Sequence, residues 1–309
     1  MTKLSQAVTS YRICAQAEGR STRTIEWITS SVRYFVDFLG DDRDVTIITT
    51  NDIRAFIISL QQRTKYAHHP YCKPQGAMLS PLSIETYFRG LRAFFGFLKR
   101  EEFINKNPME KVKIPKVPQK LVPTFSIEEI EKLLSKPNKH KREGYRDYVI
   151  MMLLLDTGAR VSEVANLKMP DVDLESGYLR VMGKGNKERP IPFGRKVAKA
   201  LLKYRVQYRP EPIGTDNFFL TSDGRTLTVN RIEKMVRHFG NRADISRCYC
   251  HKFRHTSAVL YLRNGGDPFT LQKKLGHSSL QMTRHYCNLA DSDVRAQHLR
   301  VGVVDKLRI

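Results

Sequence analysis

Between residues 111 and 123 the chain reads Lys111-Val112-Lys113-Ile114-Pro115-Lys116-Val117-Pro118-Gln119-Lys120-Leu121-Val122-Pro123. Each of Pro115, Pro118 and Pro123 fixes φ, removes a backbone donor and restricts the residue before it. No helix runs through such a stretch, and no single core spans it. It predicts an extended, basic tether between two folded parts. The expected division is a first domain at 1–114, a linker at 115–124 and a second domain at 125–309. At 309 residues the chain is long enough for a core on each side.

The first part reads as all helical. Ser21 or Thr22 caps a helix over 21–39, with Ile25, Ile28, Val32, Phe35, Val36 and Leu39 as its apolar stripe and Gly40 as its stop. Thr50-Asn51-Asp52 opens a second helix, with Ile53, Phe56, Ile57 and Leu60 on one face. Ser80-Pro81 opens a third, with Ile84, Tyr87, Leu91, Phe94, Phe95 and Leu98 at helical spacing. Residues 64–80 break the pattern and predict a loop. His68, His69 and Cys72 in that loop lack a second ligand pair, so a polar loop is favoured over zinc.

The second part mixes helix and strand. Ser126 starts a helix with Glu128 and Glu129 in its first turn. Tyr145 to Asp156 is too apolar for a surface helix and predicts the core of the domain. It ends at Thr157-Gly158, and Arg160 opens the next helix with Glu163 one turn on. An arginine there is either half of a structural ion pair or a phosphate clamp steered by Glu163. Tyr178–Met182 and Glu188–Pro192 predict two strands of an antiparallel hairpin, with Lys184 between glycines at its tip. Helices are expected at 194–208 and 228–239. His251 and Arg254 then fall at i and i+3 on one helical face. His277 follows a glycine, and Tyr286 lies in a last helical segment.

The formal charge is +22. Such an excess calls for a polyanionic partner, and nucleic acid leads, because basic groups on a phosphate backbone release counterions. An anionic membrane surface would want a concentrated basic amphipathic helix or a lipidation signal, and neither stands out. No apolar run approaches the roughly 20 residues a membrane span needs. The segment Met1 to Gln6 lacks a signal-peptide core, which predicts a cytoplasmic chain. Cys14, Cys72, Cys248, Cys250 and Cys287 show no disulfide spacing and read as reduced thiols. Cys248-Tyr249-Cys250-His251 lacks a second ligand pair, which argues against zinc.

Arg160, Lys184, His251, Arg254 and His277 are groups able to hold or protonate an oxyanion, and Tyr286 is a hydroxyl able to attack. That inventory suits phosphoryl transfer, where catalysis is mostly positioning and charge stabilisation. The stretches Asp156–Glu163, Gly183–Arg189, His251-Lys252-Phe253-Arg254-His255-Thr256 and Leu275–Ser279, with Tyr286 nine positions after His277, resemble the tyrosine recombinase (integrase) family. The style is that of its Xer-type members. Alanine at 159, and lysine with phenylalanine at 252 and 253, depart from the family's usual residues without removing a catalytic group.

The resemblance implies a mainly α protein of two domains: an N-terminal helical, SAM-like core-binding bundle and a C-terminal α+β catalytic domain with a small antiparallel sheet. It implies a site-specific DNA recombinase acting through a 3′-phosphotyrosyl intermediate, in the manner of a type IB topoisomerase. Tyr286 would be the nucleophile. Arg160, Arg254 and His277 would hold the phosphate oxygens. His251 would accept the tyrosine's proton or contact phosphate, Lys184 would protonate the leaving 5′-oxygen, and Glu163 would orient Arg160. The arginines and histidines supply the positive charge, so neither metal nor cofactor is expected. Lys111, Lys113, Lys116, Lys120, Arg89 and Arg92 are the candidate contacts to DNA. The expected partners are double-stranded recombination sites, a homotetramer on two of them, and accessory proteins. The rival readings are a DNA-binding accessory protein without strand exchange, and a metal-dependent nuclease. The latter would need a carboxylate cluster beside the histidines, and the sequence offers none.

Overall fold

The computed structural model describes residues 2–65, 76–113, 122–183, 188–277, 279–290 and 298. Lys116, Lys120, Lys184, the trio His68, His69 and Cys72, and nearly all of the tail at 291–309 lie outside the described residues. The chain divides into two compact units, Met1–Lys120 and Leu121–Ile309.

The first unit is built from α1 (Leu4–Ala17), α2 (Thr22–Leu39), α3 (Thr50–Gln61) and α4 (Pro81–Arg100). The last three start where expected, although the cap of α3 is Thr49, one residue ahead of the Thr50-Asn51-Asp52 read as its opening. Ser21, Thr49 and Ser80 each accept a hydrogen bond from a first-turn backbone N–H, a contribution of about 1 kcal/mol apiece. Helix α1 was not expected. Its buried stripe is Leu4, Ala7, Tyr11 and Ala15, and two alanines and a tyrosine give a weak apolar signal in sequence.

Aromatic rings fill the core: Tyr11, Phe35, Phe56, Phe88, Phe94 and Phe95 are all at most 1% exposed. Phe35 meets Phe56 edge-on at 5.3 Å, the arrangement ring quadrupoles prefer. The base of the loop at 64–80 is closed by bonds from Lys65 N–H to Ala77 O and from Leu79 N–H to Arg63 O.

Helices α2 and α4 cross closely because residue 90 has no side chain. A Cβ there would stand 2.6 Å from Ser31 Cβ and closer still to its hydroxyl. Overpacking of this kind costs about 1–3 kcal/mol and outweighs the roughly 1 kcal/mol that alanine gains over glycine in a helix. Gly90→Ala is therefore expected to lower the urea midpoint; an unchanged or higher midpoint would mean that the helices separate freely here.

The second unit contains α5 (Ile127–Ser135), α6 (Arg142–Thr157), α7 (Val161–Ala165), a sheet of β1 (Val172–Asp173), β2 (Tyr178–Met182) and β3 (Glu188–Pro192), then α8 (Arg195–Lys203), α9 (Val229–Arg242), α10 (Cys250–Arg263), α11 (Pro268–Leu275) and α12 (Leu280–Ala290). The sheet is antiparallel in the order β1-β2-β3, with Leu179 opposite Ile191 and Val181 opposite Arg189. Strand β1 adds to the expected hairpin and is too short to show a period. Leu179, Val181 and Ile191 turn inward onto a core that includes Val149, Leu153, Phe218, Phe219 and Phe253.

The helix expected over 194–208 ends its α-helical course at Lys203. Tyr204–Tyr208 is a π turn, closed by Arg209 N–H on Tyr204 O at 2.8 Å. Tyr204 itself is fully buried, and its hydroxyl accepts from Leu220 N–H. Cys248 and Cys250 are buried, and burial pushes their thiols up to about 11 and about 12. Among the described residues no helix is long and apolar enough to cross a membrane.

Candidate active site

Helix α6 ends at Gly158, whose φ of 65° is the left-handed conformation that lets the chain turn at once into Arg160. A Cβ on Gly158 would also press on Leu275 and Ser257. Arg160 is the residue that precedes α7. Glu163 reaches back to it: Arg160 N–H donates to Oε2 at 2.8 Å, and Arg160 Nη1 donates to Oε1 at 2.9 Å.

The Glu163 carboxylate is buried, while the Arg160 side chain stays 37% exposed. The two roles left open for Arg160 are therefore compatible. One face of its guanidinium is steered by Glu163 and the rest is free for a ligand. Arg189, on β3, donates Nη2 to both oxygens of the same carboxylate at 3.0 Å, and its Nε donates to Lys274 O. Its contribution was not foreseen, although it lies in the hairpin segment.

Helix α10 packs against α6 and α12 and carries three of the groups on one face: His251, Arg254 and His255, at i, i+3 and i+4. Arg254 is 2% exposed. Its Nη1 donates to Gly158 O at 2.7 Å and its Nη2 to Leu275 O at 2.8 Å. Two of its five N–H groups thus fix the plane of the fork and leave the others for a ligand. Burial, and then Arg160, lower its pKa to about 10, so it stays cationic at neutral pH.

His277 follows the turn that ends α11. Its Nδ1 pairs with Thr283 Oγ1 at 3.0 Å, and its ring stacks on Tyr286 with centroids 6.0 Å apart. Tyr286 is 5% exposed. Its hydroxyl is 2.8 Å from Nδ1 of His255. The tyrosine's partner is His255, not His251, which is exposed and meets His255 edge-on at 4.3 Å. Helical spacing put both histidines on the same face; only the course of α12 decides which ring the phenol reaches.

The five described catalytic candidates, Arg160, His251, Arg254, His277 and Tyr286, thus gather around the junction of α6, α10 and α12. Lys184 is outside the described residues. Arg160, His251 and Arg254 share a cleft of about 570 Å³ with Arg237 and Tyr249.

The candidate DNA contacts belong to the first unit. Arg89 is exposed and paired with Glu85. Arg92 is less free than expected, since it lies over the Phe88 ring at 4.7 Å and donates to Val112 O. Lys111 and Lys113 are exposed.

The electrostatics are those of a pocket short of an anion. Arg160 and Arg189 share the Glu163 carboxylate, while Arg254 is held by two carbonyls and has no carboxylate bonded to it. Burial, then Arg254 and Arg160, push His277 down to about 4; burial, then His251 and Arg254, push His255 down to about 4. Burial raises Tyr286, and Arg254 partly opposes it. Both histidines are neutral at pH 7. As pH falls from the ordinary value of 6.5 toward 4, the unfolded chain takes up protons that the folded chain refuses. Folding stability therefore drops across that window. His277→Asn is expected to flatten the fall of Tm across this range, and an unchanged slope would refute the assignment.

The model of the phage integrase family matches residues 124–293. The tyrosine recombinase XerD of Staphylococcus haemolyticus is 36% identical over 228 residues, 72% of this chain and 77% of the relative. XerD of Listeria innocua is 30% identical over 280 residues, 88% of this chain and 90% of the relative. Among solved structures, the XerA recombinase is 26% identical with a TM-score of 0.51, covering 99% of both chains. The Tn1549 transposon integrase in complex with a circular intermediate DNA has a TM-score of 0.74 at 18% identity, covering 97% of this chain and 99% of that one; at that identity it speaks for the fold alone. Motifs, fold and relatives agree, and the chain belongs to the phage integrase family: it is a tyrosine recombinase, an enzyme of site-specific recombination that cuts and rejoins DNA.

Proposed function

We propose that Tyr286 attacks one backbone phosphate of a double-stranded recombination site, forming a 3′-phosphotyrosyl link and releasing a 5′-hydroxyl. The observation that carries this reading is a buried phenol within electrostatic reach of a rigidly anchored Arg254, which itself lines a cleft with Arg160 and Arg237. Arg160 and Arg254 take the non-bridging oxygens, where a planar fork matches phosphate geometry. His277 donates a further bond to them. His251, at the open side of the cleft, accepts the phenol's proton or contacts the phosphate. Lys184 protonates the leaving 5′-oxygen. Glu163, with Arg189 behind it, orients Arg160.

A phenol with a pKa near ~10 needs such a cationic setting to attack at neutral pH. Each donor aimed at the developing charge is worth roughly 10²–10³ in rate. The covalent link conserves the phosphodiester, so rejoining needs no ATP. Attack by a different 5′-hydroxyl gives strand exchange.

Residues 1–114 serve as the core-binding domain and 115–124 as the basic linker. Arg89, Arg92, Lys111, Lys113, Lys116 and Lys120 contact phosphates, and four protomers act on two sites. The net charge of +22 supports this reading, and a steep salt dependence of binding is expected from it.

The test uses nicked suicide substrates carrying candidate sites, incubated with the protein and resolved on a denaturing gel. A covalent adduct whose DNA-bearing peptide contains Tyr286 is the expected result. Tight DNA binding with no adduct on any site would point instead to a binding protein of the same fold.

A further inference from the structure

The Tyr286 hydroxyl has a partner whose role the reading above leaves unassigned. His255 lies one turn beyond His251 on α10, and its Nδ1 is 2.8 Å from the phenol oxygen. Its ring also packs within 5.7 Å of the Tyr286 ring. The groups facing it are His251 and Arg254 from its own helix, His277 from the turn after α11, and Tyr286 from α12.

A neutral imidazole carries one N–H and one bare nitrogen. In a pocket already crowded with guanidinium groups, His255 stays neutral. With its proton on Nε2, the bare Nδ1 accepts from the phenol O–H. The other face of the tyrosine is closed by the His277 ring, stacked at an interplanar angle of 15°. Stack and hydrogen bond together leave Tyr286 little rotational freedom.

We infer that His255 is a positioning residue: its Nδ1 holds the Tyr286 hydroxyl inside its own protomer's site, aimed toward the Arg160–Arg254 cleft, without acting as the proton acceptor. This rests on Tyr286 being the nucleophile. Orientation and not basicity is the role that fits. A nitrogen that titrates at about 4 is a poor base for a phenol held above its ordinary value of 10.0, but it accepts a hydrogen bond throughout the neutral range.

Two substitutions separate the roles. His255→Asn keeps an acceptor, Oδ1, one bond from Cγ, where Nδ1 was, and cannot titrate near neutral pH. His255→Ala keeps neither property. Single-turnover cleavage of a suicide substrate at saturating protein is expected to fall about 10- to 100-fold in His255→Ala, the range that misplaced reacting groups produce. It is expected to recover to within about 3-fold of wild type in His255→Asn (on the order of 0.7 kcal/mol).

Filter-binding affinity for the same DNA should be unchanged in both, and thermal melts confirm folding. The rate–pH profile of His255→Asn should keep the wild-type shape. If Asn fails to restore the rate, or if its profile loses an ionisation that wild type shows, His255 is a base or a structural residue and the inference fails. It fails equally if Ala cleaves like wild type. Loss of the adduct in wild-type protein itself would instead overturn the nucleophile assignment, so the two failures are told apart.

Discussion

Tyr286→Phe is expected to form no covalent complex with DNA while binding it as tightly as the unaltered protein. The substitution removes one oxygen. The ring, its stack on His277 and its place against α10 are retained. What disappears is the only atom of this side chain able to attack phosphorus, so the rate should drop below detection. Stability should change by no more than about 1 kcal/mol, since only the bond to His255 is lost. The measurement pairs a denaturing gel for the adduct with a salt-controlled binding isotherm. A persistent adduct would implicate another hydroxyl, and Tyr249, which lines the cleft with Arg160 and Arg254, would be the first to replace.

Arg254→Lys should be nearly as damaging although it keeps the charge. The guanidinium serves two carbonyls, Gly158 O and Leu275 O, and still has N–H groups for a phosphate. An ammonium on a flexible stem cannot span the two carbonyls and present a fork at once. Single-turnover cleavage is expected to fall about 10³-fold or more, by loss of donors worth roughly 10²–10³ each. A buried carbonyl left without its partner should lower stability by about 1–3 kcal/mol. DNA affinity should change far less, because one phosphate contact among many is altered. Cleavage within tenfold of the unaltered rate would show that charge alone, and not the anchored fork, is what the site requires.

The helix starts at Ser21 and Ser80 could be read from the chain because a cap is a local device: a side-chain oxygen and an N–H three residues away. The hairpin of β2 and β3 was legible for the same reason. The π turn at Tyr204–Tyr208 was not, because a buried phenol bonded to Leu220 N–H accompanies it and no local pattern encodes that partner. Helix α1 was missed because alanine carries its stripe.

In the site, the candidate groups were recognisable from residue type and motif. Spacing on α10 put His251 and Arg254 together. Their working partners came from far along the chain: Gly158 is 96 residues from Arg254, and Tyr286 is 31 from His255.

By itself, then, the sequence determined the proline-rich run at 111–123, the helical character of the first part and the inventory of groups able to hold an oxyanion, with a tyrosine hydroxyl beside them. Those follow from proline stereochemistry, apolar periodicity and side-chain chemistry, all of which act within a few residues. Only the tertiary structure decided that Arg189 shares the Glu163 carboxylate, that Arg254 is gripped by two carbonyls, and that the Tyr286 hydroxyl answers to His255 and not His251. The physical reason is that a hydrogen bond has a reach of about 3 Å. Which groups fall within it depends on how α6, α10, α11 and α12 pack, and packing is set by the whole core and not by any stretch of chain.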